Sequence, residues 1–179
     1  MSELIRSADE YAARKHAEVG QVRKHTGAPY IVHPRAVQKK LALYGARDVL
    51  QAAALLHDTV EDTLTSIGNI SFNFGTQVAE LVAACTNVYT SKAYPTWNRS
   101  KRKMYENIRF AEANCVEAVW IRFADFLDNY ESFVEQGDEF AKNYAEEMHG
   151  AMPLYRFMIR NQNYIGPMSP LYHEVLAKL

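Results

Sequence analysis

Only two of the 179 residues are cysteines, Cys85 and Cys115, and their spacing matches no zinc site or disulfide framework. They read as reduced, buried small hydrophobes. Neither sign of charge dominates: 20 Lys and Arg against 21 Asp and Glu leave a formal net charge of −1. That balance gives no global pull toward nucleic acid or an anionic membrane. No apolar run approaches the ~20 residues of a membrane span. The opening Met-Ser-Glu-Leu-Ile-Arg-Ser has no apolar h-region, so no signal peptide is expected. Convincing strand signals, internal repeats and low-complexity linkers are also missing. The expectation is a cytoplasmic, all-α protein. At 48% hydrophobic residues, a chain of this length can build one sizeable core, so residues 1–179 are read as a single compact helical bundle.

The helical periods follow in order. Residues 2–18 place Leu4, Ile5, Ala8, Tyr11 and Ala12 on one face. Gly20 to Pro29 breaks the pattern with a short basic loop holding Arg23, Lys24, His25 and Gly27. Tyr30-Ile31-Val32 reads as extended, and Pro34 suits the first position of a helix running to about Tyr44, with Gly45 as its cap. A helix over about Arg47 to Asp62 comes next, then a short piece in 65–74 and an amphipathic helix over 76–86. Residues 87–97 are loop-like, with Tyr89, Tyr94 and Trp97, which read as packing residues. Asn98 to Ala113 is a helix with a basic first half, Arg99, Lys101, Arg102 and Lys103; water or a substrate phosphate would suit those charges equally. A strongly apolar helix covers 115–133, a long amphipathic one 138–161, and Gly166-Pro167 precedes a last helix from Ser169-Pro170 to about Lys178.

The chain is organised around Ala52-Ala-Ala-Leu-Leu-His57-Asp58-Thr59-Val60-Glu61-Asp62-Thr63. An apolar run leads directly into four groups that can bind a cation or move a proton. On a helix, His57 would lie over Glu61 and Asp58 over Asp62. The ordinary reading is a solvated helix end. Yet three carboxylates at a helix C-terminus oppose the helix dipole, and a positive ion among them would relieve that conflict. Two further segments offer partners. His33 sits at a loop-to-helix junction, and Asp125 lies in an otherwise apolar stretch with Phe123, Ala124, Phe126 and Leu127. A buried Asp needs a compensating charge or hydrogen bonds. His33, His57, Asp58 and Asp125 together make a nitrogen and oxygen donor set suited to manganese, iron, zinc or similar divalent ions. Glu61 and Asp62 would then stand beside a metal-activated water as catalytic acid or base.

These residues resemble the H…HD…D signature of the HD phosphohydrolase superfamily. Arg23-Lys24 with Gly27-Ala-Pro-Tyr-Ile-Val-His33-Pro looks like the RK…G-x-PYI-x-HP segment of the alarmone hydrolase domain in Rel/Spo enzymes. His57-Asp58-Thr59-Val60-Glu61-Asp62-Thr63 matches that family's HDTVEDT word, and Phe74-Gly75, Val78 and Leu81-Val82 fit its FG-x-x-V-x-x-LV stretch. Arg122-Phe-Ala-Asp125-Phe-Leu-Asp-Asn129 is similar to its KLADRLHN. The likeness covers about residues 5–135, with helices 138–179 completing the fold, and it is nearest to the stand-alone small alarmone hydrolases such as the metazoan SpoT homologue. It implies a manganese-dependent 3′-pyrophosphohydrolase of guanosine or adenosine 5′-phosphates carrying a 3′-diphosphate. His33, His57, Asp58 and Asp125 would hold the metal. Glu61 and Asp62 would handle the attacking water and the leaving 3′-oxygen. Arg23, Lys24 and Asn129 would contact substrate.

Four places depart from the family words. Arg122 replaces the Lys of KLAD, Phe126 its Arg, and Asp128 the His before Asn129; Cys85-Thr86-Asn87 stands where VT-D is usual. The ligands are untouched, and the changes bear on how base and phosphates are held. Two other readings compete. One is an HD nucleotide phosphomonoesterase, with NADPH among its candidate substrates. The other is a non-catalytic nucleotide binder, which the full set of ligands and Glu61 disfavours. A purine nucleotide is the expected partner, with no nucleic acid or membrane and a homo-oligomer left open.

Overall fold

The computed structural model describes residues 2–24, 26–135, 137, 140–161 and 168–179. His25, the Gly166-Pro167 break and the first two residues of the helix expected over 138–161 lie outside them. Ten helices follow one another among the described residues: α1 (Glu3–Glu18), α2 (Val32–Leu43), α3 (Asp48–Leu56), α4 (Thr59–Asp62), α5 (Ile67–Phe74), α6 (Thr76–Cys85), α7 (Arg99–Glu112), α8 (Val116–Glu135), α9 (Phe140–Asn161) and α10 (Ser169–Leu176). The only pairing outside helices, among those residues, is an isolated antiparallel bridge between Val22 and Pro29. The all-α expectation holds.

Helix α3 is the hub. Leu50 and Ala52 through Leu56 are all buried, and the helix packs against α1, α2, α6 and α8. A helix apolar on every side has no face to give to water, so neighbours must surround it. Each fully buried leucine here contributes about 1.5–3 kcal/mol by leaving water. The second buried helix, α8, carries Val116, Ala118 to Ile121, Phe123, Ala124, Phe126 and Leu127 into the core. It packs against α2, α3, α6, α9 and α10. The C-terminal helices join this core: Met152, Tyr155 and Met158 of α9 and Leu171 and Val175 of α10 are buried in it.

Two local expectations change. The helix foreseen over 47–62 is interrupted: α3 ends at Leu56 and α4 begins at Thr59. Side chains cause the break by taking carbonyls that a continuing helix would offer to backbone N–H groups. The His57 Nδ1–H donates to the Ala54 carbonyl at 2.7 Å, and the Thr59 hydroxyl to the Leu56 carbonyl at 2.7 Å. His57 and Asp58 therefore sit in a tight turn at the end of the core helix. Likewise, Tyr30-Ile31-Val32 is not extended. Ile31 is helical (φ −54°, ψ −19°), and the His33 amide bonds the Tyr30 carbonyl at 3.0 Å. Helix α2 thus starts at Val32, and Pro34 falls in its first turn, where a missing N–H costs nothing. Upstream, Gly27 at φ +67° turns the chain back so that the Arg23 amide meets the Ala28 carbonyl at 2.8 Å.

Candidate active site

Four side chains from three separated segments meet at the end of α3. His33 projects from the first turn of α2, His57 and Asp58 from the α3–α4 turn, and Asp125 from the middle of α8. The His33 Nε2 lies 3.1 Å from Asp125 Oδ1 and 3.7 Å from Asp58 Oδ2. The His57 Nε2 lies 3.2 Å from Asp58 Oδ2 and 3.8 Å from Asp125 Oδ1. Donor atoms of His33, His57 and Asp58 all fall within 4.8 Å of one another. Both imidazoles are buried, and among the described residues neither Nε2 has a well-formed hydrogen-bond partner.

The tautomers follow from the far side of each ring. A carbonyl only accepts, so His57 must carry its proton on Nδ1 to bond Ala54. His33 Nδ1 lies 2.6 Å from the Asp128 carboxylate, another acceptor. In the neutral state both Nε2 lone pairs then face carboxylate oxygens at contact distance. Such an arrangement repels unless a proton or a cation lies between them. Burial alone would lower both imidazole pKa values. For His33, the facing carboxylates of Asp125 and Asp128 outweigh burial; for His57, those of Asp58 and Asp125 do, and both end up raised. Burial alone would likewise raise the two carboxyls, and the facing imidazoles reverse that and hold Asp58 and Asp125 well below the usual carboxylate range. The cluster is therefore built to keep positive charge in its centre, and a divalent ion fits where the protons otherwise sit.

Outer contacts fix this floor. The Tyr30 hydroxyl donates to Asp58 Oδ2 at 2.6 Å, and Asn129 Nδ2 donates to Asp125 Oδ1 at 2.7 Å. Arg23 does not point freely outward. Its Nη1 donates to Asn129 Oδ1 at 3.1 Å and its Nη2 to Asp128 Oδ2 at 3.5 Å. Lys24 is exposed.

Above the floor opens a polar cavity of about 220 Å³, lined by Asp58, Glu61, Asp62, Asn87, Lys103, Arg122, Asp125, Asn129 and Tyr144 among others. Asn87, Lys103, Arg122, Asp125 and Tyr144 also line an adjoining space of about 60 Å³ that reaches Glu147 and Tyr155 on α9. Glu61 accepts from the Asn87 amide at 3.1 Å and its side chain at 2.8 Å, and Asp62 accepts from Gln21 at 2.8 Å. Burial raises the pKa of both carboxyls and the Asp58 charge adds to it, so each holds a proton more readily than a free carboxylate. The structure sorts the basic run of α7. Arg99 pairs with Glu147, Lys101 lies over Trp97 at 4.2 Å, and Arg102 donates to the Trp97 carbonyl. Only Lys103 of the four lines the cavity, where burial and the nearby Arg122 lower its pKa. Tyr89 stacks on Trp97, Tyr94 and Tyr105 lie tilted against that pair, and Tyr89, Tyr94 and Trp97 line neither of these spaces.

Comparison with known families assigns residues 8–150 to the HD domain. The chain belongs to the HD-domain family. The human guanosine-3′,5′-bis(diphosphate) 3′-pyrophosphohydrolase MESH1 is 38% identical over 131 residues, 72% of this chain and 68% of MESH1. A guanosine-3′,5′-bis(diphosphate) 3′-pyrophosphohydrolase of Aquifex aeolicus is 35% identical over 146 residues, 82% of this chain; the chain spans 20% of that relative's length. Among solved structures, one described as a metazoan ortholog of SpoT that hydrolyses ppGpp superposes with a TM-score of 0.66 at 26% identity, covering 92% of this chain and 98% of that one.

Sequence reading missed Tyr30, Asn87, Tyr144 and Gln21 as site residues, and left Lys103 undistinguished within its basic run. Asn87 did carry a signal, as a departure from the VT-D word. Tyr144 and Gln21 carried none, because only packing brings α9 and the loop after α1 to the site.

Proposed function

We propose that the chain is a manganese-dependent 3′-pyrophosphohydrolase acting on guanosine or adenosine 5′-phosphates that carry a 3′-diphosphate, of the (p)ppGpp and (p)ppApp kind. One observation carries the reading: two buried imidazole Nε2 atoms without protein hydrogen-bond partners converge on Asp58 and Asp125 beneath a polar cavity walled by Lys103 and Arg122. The names of the human and Aquifex relatives support the substrate class. His33, His57, Asp58 and Asp125 would hold the ion, and their mixed nitrogen and oxygen donors suit manganese. When bound, such an ion polarises a phosphoryl oxygen and acidifies water.

The residues of the chain supply the rest. Lys103 and Arg122 face the same polar space as the floor, where they would neutralise diphosphate oxygens with charge-assisted hydrogen bonds. Glu61 and Asp62 flank Asp58 with raised pKa values. One accepts the proton of the attacking water and the other returns a proton to the leaving 3′-oxygen, so pyrophosphate and a nucleoside 5′-phosphate are released. Lys24, exposed on the loop beside Arg23, is assigned to the outer phosphates or the base. A cytoplasmic location belongs to the same reading, since the substrate is a nucleotide and both Cys85 and Cys115 are free thiols.

The test is a panel of purine nucleotides incubated with the manganese-loaded protein, with pyrophosphate and orthophosphate separated. Pyrophosphate from 3′-diphosphorylated substrates is expected. Orthophosphate, including orthophosphate from NADPH, would replace this reading with a phosphomonoesterase, and an inert panel would remove it.

A further inference from the structure

Asp128 stands where the resembling pattern has His, and the mechanism above gives it no task. Yet it closes a circuit of side chains around the metal floor. His33 Nδ1 donates to Asp128 Oδ2 at 2.6 Å. The same oxygen accepts from Arg23 Nη2 at 3.5 Å, and Arg23 Nη1 donates to Asn129 Oδ1 at 3.1 Å. Asn129 Nδ2 donates to Asp125 Oδ1 at 2.7 Å, and that oxygen lies 3.1 Å from His33 Nε2, where the circuit began. Asp128 and Arg23 are half-buried, with 22% and 15% of their side chains exposed, so the pair is partly withdrawn from screening water.

We propose that Asp128 is a positioning residue, closing the ring His33–Asp128–Arg23–Asn129–Asp125 so that His33 presents Nε2, and Asp125 its Oδ1, to a divalent ion. The inference rests on the metal-dependent reading above. A carboxylate on the far nitrogen of a ligating imidazole fixes its tautomer and its ring orientation and raises its basicity. His57 obtains orientation from a neutral backbone carbonyl, Ala54. His33 has no such carbonyl on its Nδ1, and a carboxylate takes the place. The same carboxylate anchors the guanidinium, and the guanidinium fixes which end of the Asn129 amide faces Asp125. Residues separated by about a hundred positions are thereby locked to both sides of the site. In this scheme Arg23 and Asn129 act first on the ligands.

The experiment measures Mn²⁺ affinity directly, from the free-ion electron paramagnetic resonance signal, on the wild-type chain and on D128A, D128N, H33A and H33A/D128A. Wild type should bind one ion tightly. D128A should bind about 10–100-fold more weakly, while remaining folded in chelator. D128N should recover most of the loss, because an amide oxygen still accepts from His33 as Ala54 does from His57. In the H33A background D128A should add less than about threefold, since a residue acting through His33 has little left to position. If D128A does not fold, D128L, close to Asp in size and unable to accept from His33, carries the same cycle against H33A. Unchanged affinity in D128A, or losses in H33A and D128A that simply add, would overturn the proposal while the metal site stands. A wild-type chain that binds no Mn²⁺ overturns both.

Discussion

The floor of the site and its wall are built in different ways. On the floor, each of the four converging side chains is held from behind: His57 by Ala54, Asp58 by Tyr30, His33 by Asp128, Asp125 by Asn129. The wall is assembled from Asn87 after α6, Lys103 on α7, Arg122 on α8 and Tyr144 on α9. The floor is therefore preorganised for one ion, whereas the wall sets what lies above it. On the proposed function, chemistry belongs to the first and substrate choice to the second.

Mutations should separate the two. The largest effect is expected from Asp125→Asn or Asp58→Asn. Each removes a charged donor beside two raised imidazoles, so Mn²⁺ binding and turnover should both fall, turnover by at least about a thousandfold. Glu61→Gln comes next. Removing a proton carrier costs about 10²–10⁴-fold, and Mn²⁺ affinity should be unaltered in a direct titration; a parallel loss of metal would place Glu61 in the floor instead. Lys103→Met should raise KM for a diphosphorylated nucleotide by about 10–100-fold, the worth of one charged hydrogen bond. In this variant kcat should change less than KM, and a fall in kcat with KM unchanged would mean that Lys103 acts in the transition state alone.

The smallest effect is a pH dependence of the floor itself. His33 and His57 have raised pKa values in the folded protein. Their contribution is fully present below the unfolded value near 6.5 and is lost as pH rises through the raised folded values. Asp58 and Asp125 are lowered, so their contribution is present above about pH 4 and lost only in stronger acid. Chelator-treated protein should thus lose a few degrees of melting temperature as pH climbs above about 6.5. Added Mn²⁺ should remove that slope, because it displaces the same protons. A melting temperature in chelator that rises over that range would contradict the charge arrangement of the floor.

Much of this was legible in the residues. The apolar run 52–56 reads as a buried helix because no face is polar, and the structure buries all five residues. The residues that converge, His33, His57-Asp58 and Asp125, were visible as residue types that need a common counter-charge. The break after Leu56 was not legible. It depends on Thr59 and His57 side chains capturing carbonyls, a choice invisible to a 3.6-residue period. Nor does the period show that Tyr30-Ile31-Val32 curls into α2, because three apolar residues suit a strand or a helix end equally.

The sequence by itself determined which groups are able to bind a cation or move a proton and which faces of which helices are apolar, since both are carried by residue type and short spacing. Only the tertiary structure decided that Lys103, and none of Arg99, Lys101 and Arg102, lines the cavity. It also decided that Arg23 turns inward onto Asp128 and Asn129, and that α9 lends Tyr144 to the wall. The reason is rotational. Neighbouring positions on a helix point about 100° apart, so which of them meets a partner some hundred residues away is set by how α7, α8 and α9 seat against the core.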